Sequence, residues 1–407
     1  MEHTPWKPVI LGAAASLVLL FIVYFITLPK QAGFEFQNIE KILEFKQAFI
    51  GGHEEGKKVW SFYAQQGWSG KDKAVTYLEG VSQGQFYNKK GELLLRDLKA
   101  LRVKAQRYSK VVEAYGLPEG VTSGKSKLTA DISFSKVSGK RKYADLLTDY
   151  LKYTPNRKWS ELKGHIRLKD PKLTLYCGEM EIDHDKGVAY LRDNINIKRK
   201  DLSLTSRELT YFSDEERLNA LGSAEARIKS EPKPTRLLAD QITLFADENK
   251  DFTAAGNLLV FQGSKTAVAK EAVYNQPQKK LRLRGKVKTV IEKARAIFKE
   301  DTARKLKSSE ARKLLKEKTV LMSDQLEMST KNGDAVARGS VVVTQKGREG
   351  KAEQAIYNDQ AEDITLTGKV YLKKQREWIK CQEILVSVKN ETFEAVGSVE
   401  AEFKLKK

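Results

Sequence analysis

The chain has 407 residues, of which 41% are hydrophobic and 31% are charged. This balance is typical of a folded globular protein and excludes a chain that is disordered throughout. The formal net charge of +20 predicts an anionic partner, such as nucleic acid, a membrane surface or a phosphorylated lipid. Since Cys177 and Cys381 are the only cysteines, a disulfide-stabilised scaffold is excluded.

An uncharged and mostly apolar stretch from Val9 to Leu28 comes first along the chain, between Lys7 and Lys30. As a helix, this stretch would span about 30 Å, the thickness of the hydrocarbon core of a bilayer. The alternative is a cleaved signal peptide, which has a shorter apolar region and a small-residue cleavage site after it. Here the small residues 13–15 lie inside the apolar stretch. We therefore predict an uncleaved transmembrane anchor.

A repeated unit follows the anchor and occupies most of the chain. It begins with a small residue, has apolar residues three and five positions later, and continues through a polar turn. A glycine then follows about sixteen positions after the small residue, with an apolar residue two positions beyond it. The clearest copies begin at Cys177, Ser206, Ala239, Ala269, Ser323, Ala352 and Cys381. The glycines are Gly222, Gly256, Gly285, Gly339, Gly368 and Gly397, and Asp193 takes this position in the first copy.

The spacing inside the unit is the spacing of β-strands. Apolar residues two positions apart lie on one face of a strand, and the polar segments between the apolar groups predict hairpins. A single unit cannot bury its apolar face, so neighbouring units must cover one another. One glycine in each unit favours a bend in the sheet. The repeat therefore predicts a curved sheet, folded over so that its apolar faces meet.

Two segments are predicted to be helical. The basic insert at residues 290–319 lengthens one step of the repeat and is rich in helix formers. It fits either a solvated helical hairpin or a contact with a partner or membrane surface. A second helix is predicted from about Arg141 to Leu151.

No pattern of catalytic or metal-binding residues emerges from the sequence. The four histidines are scattered, and Gly124-Lys125-Ser126 lacks the earlier glycine of a phosphate-binding loop, because Glu119 stands there. Cys177 and Cys381 share a repeat position with alanine and serine, which predicts small residues in tight sites. We expect a protein that is not an enzyme, with no catalytic residues, no metal and no cofactor.

The pattern of small residue, apolar pair, polar turn and glycine resembles the lipopolysaccharide-export family. Residues 60–62, 77–81 and 85–87 look like the first strands of its anchored, LptC-like member. Residues 321–402, with Gly339, Gly368 and Gly397, look like its soluble LptA/OstA-like bridge module. The chain departs from the small anchored members in its length and in its basic insert.

The resemblance implies an all-β fold, in which a single N-terminal transmembrane helix precedes an open repetitive β-jellyroll (a folded antiparallel sheet) with a short helical insert. The expected divisions are 1–32 for the tail and anchor, 33–289 for an LptC-like jellyroll, 290–319 for the insert and 320–407 for an LptA/OstA-like module. The expected location is the inner membrane, single-pass, with the large domain in the periplasm.

The function implied by the resemblance is lipopolysaccharide transport to the outer membrane, with acyl chains shielded in an apolar groove. The expected partners are lipopolysaccharide, the inner-membrane ABC transporter of the export system and bridge proteins that pair through sheet edges; nucleic acid is not expected. The predicted lining comprises Ile182, Leu209, Tyr211, Ile242, Leu244, Leu258, Val260, Tyr274, Val287, Leu326, Met328, Val341, Tyr357, Val370, Ile384, Val386 and Val399.

Two alternatives are left open by the residues themselves. The apolar residues could fill a closed core in a structural or adhesive solenoid that binds nothing. The repeat is also compatible with a polysaccharide-acting β-helix enzyme, although its turns carry no cluster of catalytic carboxylates.

Overall fold

The computed structural model describes residues 41–403, apart from residues 72, 89, 119–123, 125, 127, 138–139, 232, 294–306 and 388. The predicted anchor at residues 9–28 lies outside the described residues. Among the described residues, no helix is both long enough and apolar enough to cross a bilayer. The described chain is almost entirely β, as the sequence predicted.

One antiparallel sheet contains all 24 described strands. The first nine are β1 (Lys41–Glu54), β2 (Lys57–Gly70), β3 (Val75–Tyr87), β4 (Leu93–Gln106), β5 (Val112–Tyr115), β6 (Leu128–Val137), β7 (Lys140–Thr148), β8 (Tyr150–Thr154) and β9 (Trp159–Lys169). The next eight are β10 (Thr174–Asp183), β11 (Val188–Lys198), β12 (Leu202–Phe212), β13 (Arg217–Ile228), β14 (Thr235–Phe245), β15 (Phe252–Gln262), β16 (Lys265–Asn275) and β17 (Lys280–Ile291). The last seven are β18 (Thr319–Ser329), β19 (Ala335–Gln345), β20 (Arg348–Asn358), β21 (Asp363–Lys374), β22 (Glu377–Ser387), β23 (Thr392–Val396) and β24 (Glu400–Glu402).

The small residue and the glycine of each unit lie in the middle of strands, except Gly397, which lies between β23 and β24. β12 and β13 pair on both sides of this point, but their register shifts between Thr205 and Glu208. The same shift recurs at the middle of every strand pair from β10 to β22. Because bulges bend and twist a sheet locally, these aligned shifts form one corner along which the sheet folds.

The corner requires a backbone conformation that glycine adopts without strain. Gly222 has φ of +73°, and Ser223 after it has φ of +57°. A Cβ atom at Gly222 would lie 3.4 Å from Cβ of Arg207, the residue that follows the small residue of the unit. Left-handed backbone is unfavourable for residues with a side chain, whereas a Cβ atom at Gly222 would only reach ordinary van der Waals contact with the neighbouring strand.

In the first copy of the unit, the glycine of the corner lies on the other strand of the pair. Asp193 and Asn194 adopt φ of +61° and +52°, values that aspartate and asparagine tolerate better than most residues. The opposite position, after Cys177, is Gly178, whose Cβ would lie 2.9 Å from Cβ of Asp193. One of the two facing residues at the corner is thus a glycine in either arrangement, which explains the missing glycine of this copy.

Each long strand is divided by the corner into two halves, and the halves form two arms of the folded sheet. Arm 1 contains the second half of β18, the first half of β19 and the halves that pair with them. Arm 2 contains the complementary halves, including the first half of β18 and the second half of β17. Inward-facing side chains of both arms belong to one hydrophobic cluster, so the arms pack against each other.

The two predicted helices have different outcomes. In the basic insert, the described part contains one short helix, α1 (Ser309–Leu314), while β17 and β18 pair directly on either side of the insert. The helix predicted from Arg141 to Leu151 is wrong, because β7 and β8 occupy this region. Leu146 and Thr148 are buried on one face of β7, which is the two-residue period of a strand.

Candidate functional site

The space between the two arms is the candidate site, and two rows of inward-facing side chains line it. The arm 1 row consists of residues that follow one another across neighbouring strands: Ile182, Ala189, Tyr211, Leu218, Leu244, Phe252, Tyr274, Leu281, Met328, Ala335, Tyr357, Ile364, Val386 and Phe393. The arm 2 row consists in the same way of Leu175, Ile197, Leu204, Ala226, Leu237, Val260, Ala267, Thr289, Leu321, Val343, Gly350, Leu372, Ile379 and Ala401.

From β10 to β17, the interior between the arms is closed. With Tyr211 as the half-buried exception, the residues of both rows are buried as far as Leu281 and Thr289. An apolar cavity of about 80 Å³ lies beside Tyr211, between Met180 and Ala246. This section of the sheet has the packing of a hydrophobic core.

From β18 onward, the same two rows become partly exposed, apart from the buried Gly350. In arm 1 these residues are Met328, Ala335, Tyr357, Ile364 and Val386, and in arm 2 they are Leu321, Val343, Leu372 and Ile379. Residues at the corner, such as Val341 and Val370, stay buried. The arms therefore meet at the corner and leave an apolar groove open towards their tips. Six strands, from β18 to β23, contribute to this groove, which at about 4.8 Å per strand is roughly 24 Å long.

The predicted lining residues divide into three groups in the structure. Buried in the interior are Ile182, Leu209, Ile242, Leu244, Leu258, Val260, Tyr274, Val287, Leu326, Val341, Val370 and Ile384. Tyr211, Met328 and Val386 are partly buried and packed against the core, and Tyr357 is partly buried. Val399 is different, because 51% of its surface is exposed.

Val399 differs from the other predicted lining residues in its exposure. It holds the same position of the repeat as Val341 and Val370, which are each only 1% exposed. Val399 precedes β24, the last and shortest described strand of arm 2, so no described neighbouring strand covers it. Its position in the repeat matches the other two valines, but burial also requires a following unit.

Several groove residues were not predicted from the sequence. They are Val343, Ile364, Leu372, Ile379 and Phe393. All lie nearer the arm tips than the corner, outside the positions of the repeat pattern. The alternation along each strand contains the missed signal: Leu372 follows Val370 by two residues and therefore lies on the same face.

Polar contacts tie the arm tips together over the closed section. Lys142 of arm 2 pairs with Glu216 of arm 1 at 3.0 Å, and Lys279 of arm 1 pairs with Asp201 of arm 2 at 2.7 Å. The backbone N–H of Glu231, after β13, donates to the carbonyl oxygen of Thr330 at 2.9 Å. These contacts join residues that are far apart in the chain across the mouth between the arms.

Arg199 adds another contact across the mouth of the closed section. It follows β11 in arm 2, and its guanidinium donates to the backbone carbonyl of Phe245, at the end of β14 in arm 1. Burial lowers the pKa of Arg199, while the carboxylates of Glu248, Asp170 and Asp247 oppose this shift. The closed section is therefore held by polar groups at its tips as well as by its apolar core.

The tips of the open groove carry opposite charges on the two arms. The turns and adjoining strand ends at the tip of arm 2 contain Lys346, Arg348, Lys373, Lys374 and Arg376, together with Glu349 and Glu377. Those at the tip of arm 1 contain Asp334, Asp359, Glu362, Asp363 and Glu391, together with Lys331 and Lys389. An apolar groove with one basic and one acidic rim suits an amphipathic ligand whose head group carries charge.

The two cysteines occupy tight interior sites, as predicted. Both are buried and neither forms a disulfide. Cys177 lies in β10 and Cys381 in β22, twelve strands later along the array. Burial raises the pKa of the Cys177 thiol to about 12, with a smaller contribution from the charge of Asp193. This thiol is therefore not activated as a nucleophile. Among the described residues, no group of three or more His, Cys, Asp or Glu side chains could hold a metal ion.

Two family models match separate segments of the chain. The model described as LptA/(LptD N-terminal domain) LPS transport protein matches residues 245–392, and the model described as OstA-like protein matches residues 133–221. The first match contains most of the open groove, and the second contains the strands from β7 to β12. Both descriptions agree with the expectation that the chain is not an enzyme.

Among solved structures, the chain is similar to LptH of Pseudomonas aeruginosa, which is described as the LptA-homologous periplasmic component of its lipopolysaccharide transport device. The two are 22% identical, the match covers 26% of this chain and 76% of that chain, and the TM-score is 0.24. No curated protein sequence matches the chain. The two matched segments are therefore similar to lipopolysaccharide-transport and OstA-like proteins, and the matches do not distinguish an LptC-like member from the others.

Proposed function

We propose that this protein transports lipopolysaccharide towards the outer membrane and shields the acyl chains of the lipid in the open groove between the two arms. The observation that carries this proposal is the partial exposure of two continuous apolar rows from β18 to β23, within a segment that matches a lipopolysaccharide-transport model. Exposed apolar surface of this extent in a folded chain commonly marks a binding site.

The energetics suit a passive conduit. Burial of each methylene group is worth roughly 0.8 kcal/mol, so a twelve-carbon chain would cost about 9 kcal/mol to expose to water. Movement from one strand to the next along the groove exchanges one apolar contact for a similar one. Extraction of the lipid from a membrane needs a separate energy source, for which an ATP-driven transporter in the same membrane is the proposed partner.

The charged rims offer a place for the head group outside the groove. A phosphorylated head group would be attracted to Lys346, Lys374 and Arg376 at the tip of arm 2. Such a lipid would lie with its chains between the arms and its phosphates along one rim. The proposed location is the periplasmic side of the inner membrane, with residues 9–28 as the anchor and with sheet edges available for bridge proteins.

A second candidate function is specific to the closed section. Its buried rows and the contacts between its arm tips favour a structural solenoid, in which residues 174–291 hold the open groove at a distance from the membrane. Under this alternative, lipid would contact only the strands from β18 onward.

Site-specific photo-crosslinking in cells with an active transporter separates these functions. A photoreactive residue at Leu372 should capture lipopolysaccharide, whereas one at Lys373 should not, because adjacent residues of a strand face opposite sides. Leu237 is the matched position in the arm 2 row of the closed section. Its capture of lipid would mean that the closed section opens during transport.

The outcomes are distinct. Capture at Leu372 alone supports a groove confined to the last strands, and capture at both Leu372 and Leu237 supports a conduit along the whole array. Absence of lipid at all inward-facing positions, in a folded protein with an active transporter, would refute the transport function and leave the structural solenoid.

A further inference from the structure

Residues 307–318, here called the strap, cross the mouth of the open groove. The insert leaves arm 2 at Ile291 and returns to the same arm at Thr319, because β17 and β18 are paired there. Yet residues 307 and 308 contact Glu391, which lies in the turn between β22 and β23 at the tip of arm 1. Between these ends the strap must pass from one arm tip to the other.

The contact with arm 1 is made by one carboxylate. Backbone N–H groups of Lys307 and Ser308 both donate to the side chain of Glu391, the second at 2.9 Å. These two hydrogen bonds lower the pKa of Glu391, and the positive charges of Lys307 and Arg312 act in the same direction. The guanidinium of Arg312 also donates to the carbonyl of Lys307 at 3.2 Å, which holds the first turn of the strap.

The contacts with arm 2 are more numerous. The side-chain amide of Gln345 donates to the carbonyl of Leu314 at 3.0 Å and to Oγ1 of Thr319 at 2.9 Å. Lys346 pairs with Glu317, and Lys318 pairs with Glu292 at 3.2 Å. The strap is therefore fixed to arm 2 at its C-terminal end and held to arm 1 through Glu391.

The strap ties the arm tips of the open section, as the pairs Lys142–Glu216 and Lys279–Asp201 do over the closed section. Those pairs join the arms directly, whereas the strap is a separate segment whose release would leave the sheet intact. A lipid with its chains in the groove and its head group outside must pass through this mouth. A segment that joins the two rims stands in the path of the head group.

We infer that the strap is a releasable closure of the groove, which excludes lipid while Glu391 holds it and admits lipid when this contact opens. The inference rests on the proposed function for the identity of the lipid, but not for the closure itself. The charges of Lys307 and Arg312 act on Glu391, and an anionic head group would be attracted to the same two charges, so the lipid itself favours the open state.

The test compares the wild-type full chain with three variants. Glu391→Ala removes the contact with arm 1. Glu394→Ala is the matched control, because its partner Leu385 lies on the outer face of the sheet, so Glu394 points away from the groove. The third variant carries Ser308→Cys and Glu391→Cys to lock the strap by a disulfide, with Cys177→Ala and Cys381→Ala to remove the native thiols. Alanine fits those two sites because Ala239 and Ala352 occupy them in other units.

Two probes make the outcomes separable. A fluorescent phospholipid with a twelve-carbon chain reports access to the groove, and photo-crosslinking from Leu372 to purified lipopolysaccharide reports the proposed function. Binding of the fluorescent phospholipid should rise roughly threefold to tenfold in Glu391→Ala, the range expected for loss of hydrogen bonds to a solvent-exposed carboxylate. It should stay at the wild-type level in Glu394→Ala, and fall in the oxidised double-cysteine variant until a reductant is added.

Equal binding of the fluorescent phospholipid to all variants, oxidised or reduced, would overturn the closure even if lipopolysaccharide is captured at Leu372. The opposite result, in which access changes as expected but no variant captures lipopolysaccharide, supports the closure and refutes the proposed lipid.

Discussion

Substitution of a corner glycine provides a direct test of how the sheet is folded. Gly285 has φ of +86°, and a Cβ atom there would lie 2.8 Å from Cβ of Lys270 on the neighbouring strand. Left-handed backbone costs an alanine about 1–2 kcal/mol, and overpacking adds about 1–3 kcal/mol. We expect Gly285→Ala to lower the free energy of unfolding by roughly 2–5 kcal/mol.

Gly347 supplies the control for this substitution. It has φ of +71° in the turn between β19 and β20, and nothing lies within 4 Å of the position that a Cβ would take. Gly347→Ala should therefore cost only the backbone term of about 1–2 kcal/mol. Urea unfolding of the purified chain, followed by circular dichroism, measures both changes.

A double variant tests the exchange seen at Gly178 and Asp193. If only one of two facing corner residues can carry a side chain, Lys270→Gly should relieve the contact in Gly285→Ala. The double variant should then lose about 1–3 kcal/mol less than the sum of the single variants. Additive losses, or a Gly347→Ala loss as large as that of Gly285→Ala, would refute the steric account of the corner.

Three further predictions follow from the packing and from the charges. Val370→Asp should unfold the module at the packed corner, since an unpaired buried charge is strongly disfavoured, and a folded Val370→Asp variant would contradict the corner packing. Leu372→Asp should stay folded but lose lipid capture by a photoreactive residue at Ile379, the partner of Leu372 on the next strand. Melting followed by circular dichroism distinguishes the two variants. A hydrogen bond from Lys279 is the main cause that lowers the pKa of Asp201, so this pair stabilises the fold above the unfolded-state pKa near 3.9 and loses its contribution as pH falls through the lower folded-state pKa. Asp201→Asn should reduce the free energy of unfolding at pH 7 by less than about 1 kcal/mol and weaken the fall of that free energy at acidic pH. An unchanged fall at acidic pH would contradict this account. Cys177 should resist a thiol reagent at pH 8 in the native protein and react after unfolding, and a fast native reaction would contradict its burial.

Much of the architecture could be predicted from residue spacing, because the spacing reports the faces of strands. The pairs Leu209–Tyr211 and Ile242–Leu244 were placed on the inner face, and the structure places them there. What the pattern obscured was strand length. A bend at the glycine was predicted, but not that strands of about eleven residues continue on both sides of the corner.

The helix predicted from Arg141 to Leu151 shows a different limit. Local composition there favours a helix, but Leu146 of β7 pairs with Ala130 of β6 on one side and with Leu168 of β9 on the other. Pairing with two neighbouring strands outweighs the intrinsic preference of a short segment. No single-residue property of this segment contains that information.

Residue identity alone does not distinguish the residues of the groove from those of the core. The arm 2 row has Leu237 and Val260 where the interior is closed, and Leu372 and Val343 where it is open. Similar side chains thus serve as core in one section and as lining in the other. The difference lies in what joins the arm tips: side chains and turns of the sheet itself over the closed section, and the strap over the open one. Contacts between the arm tips therefore decide whether a row of apolar residues is core or binding surface. Substitutions at the arm tips should convert core into binding surface without any change in the row itself.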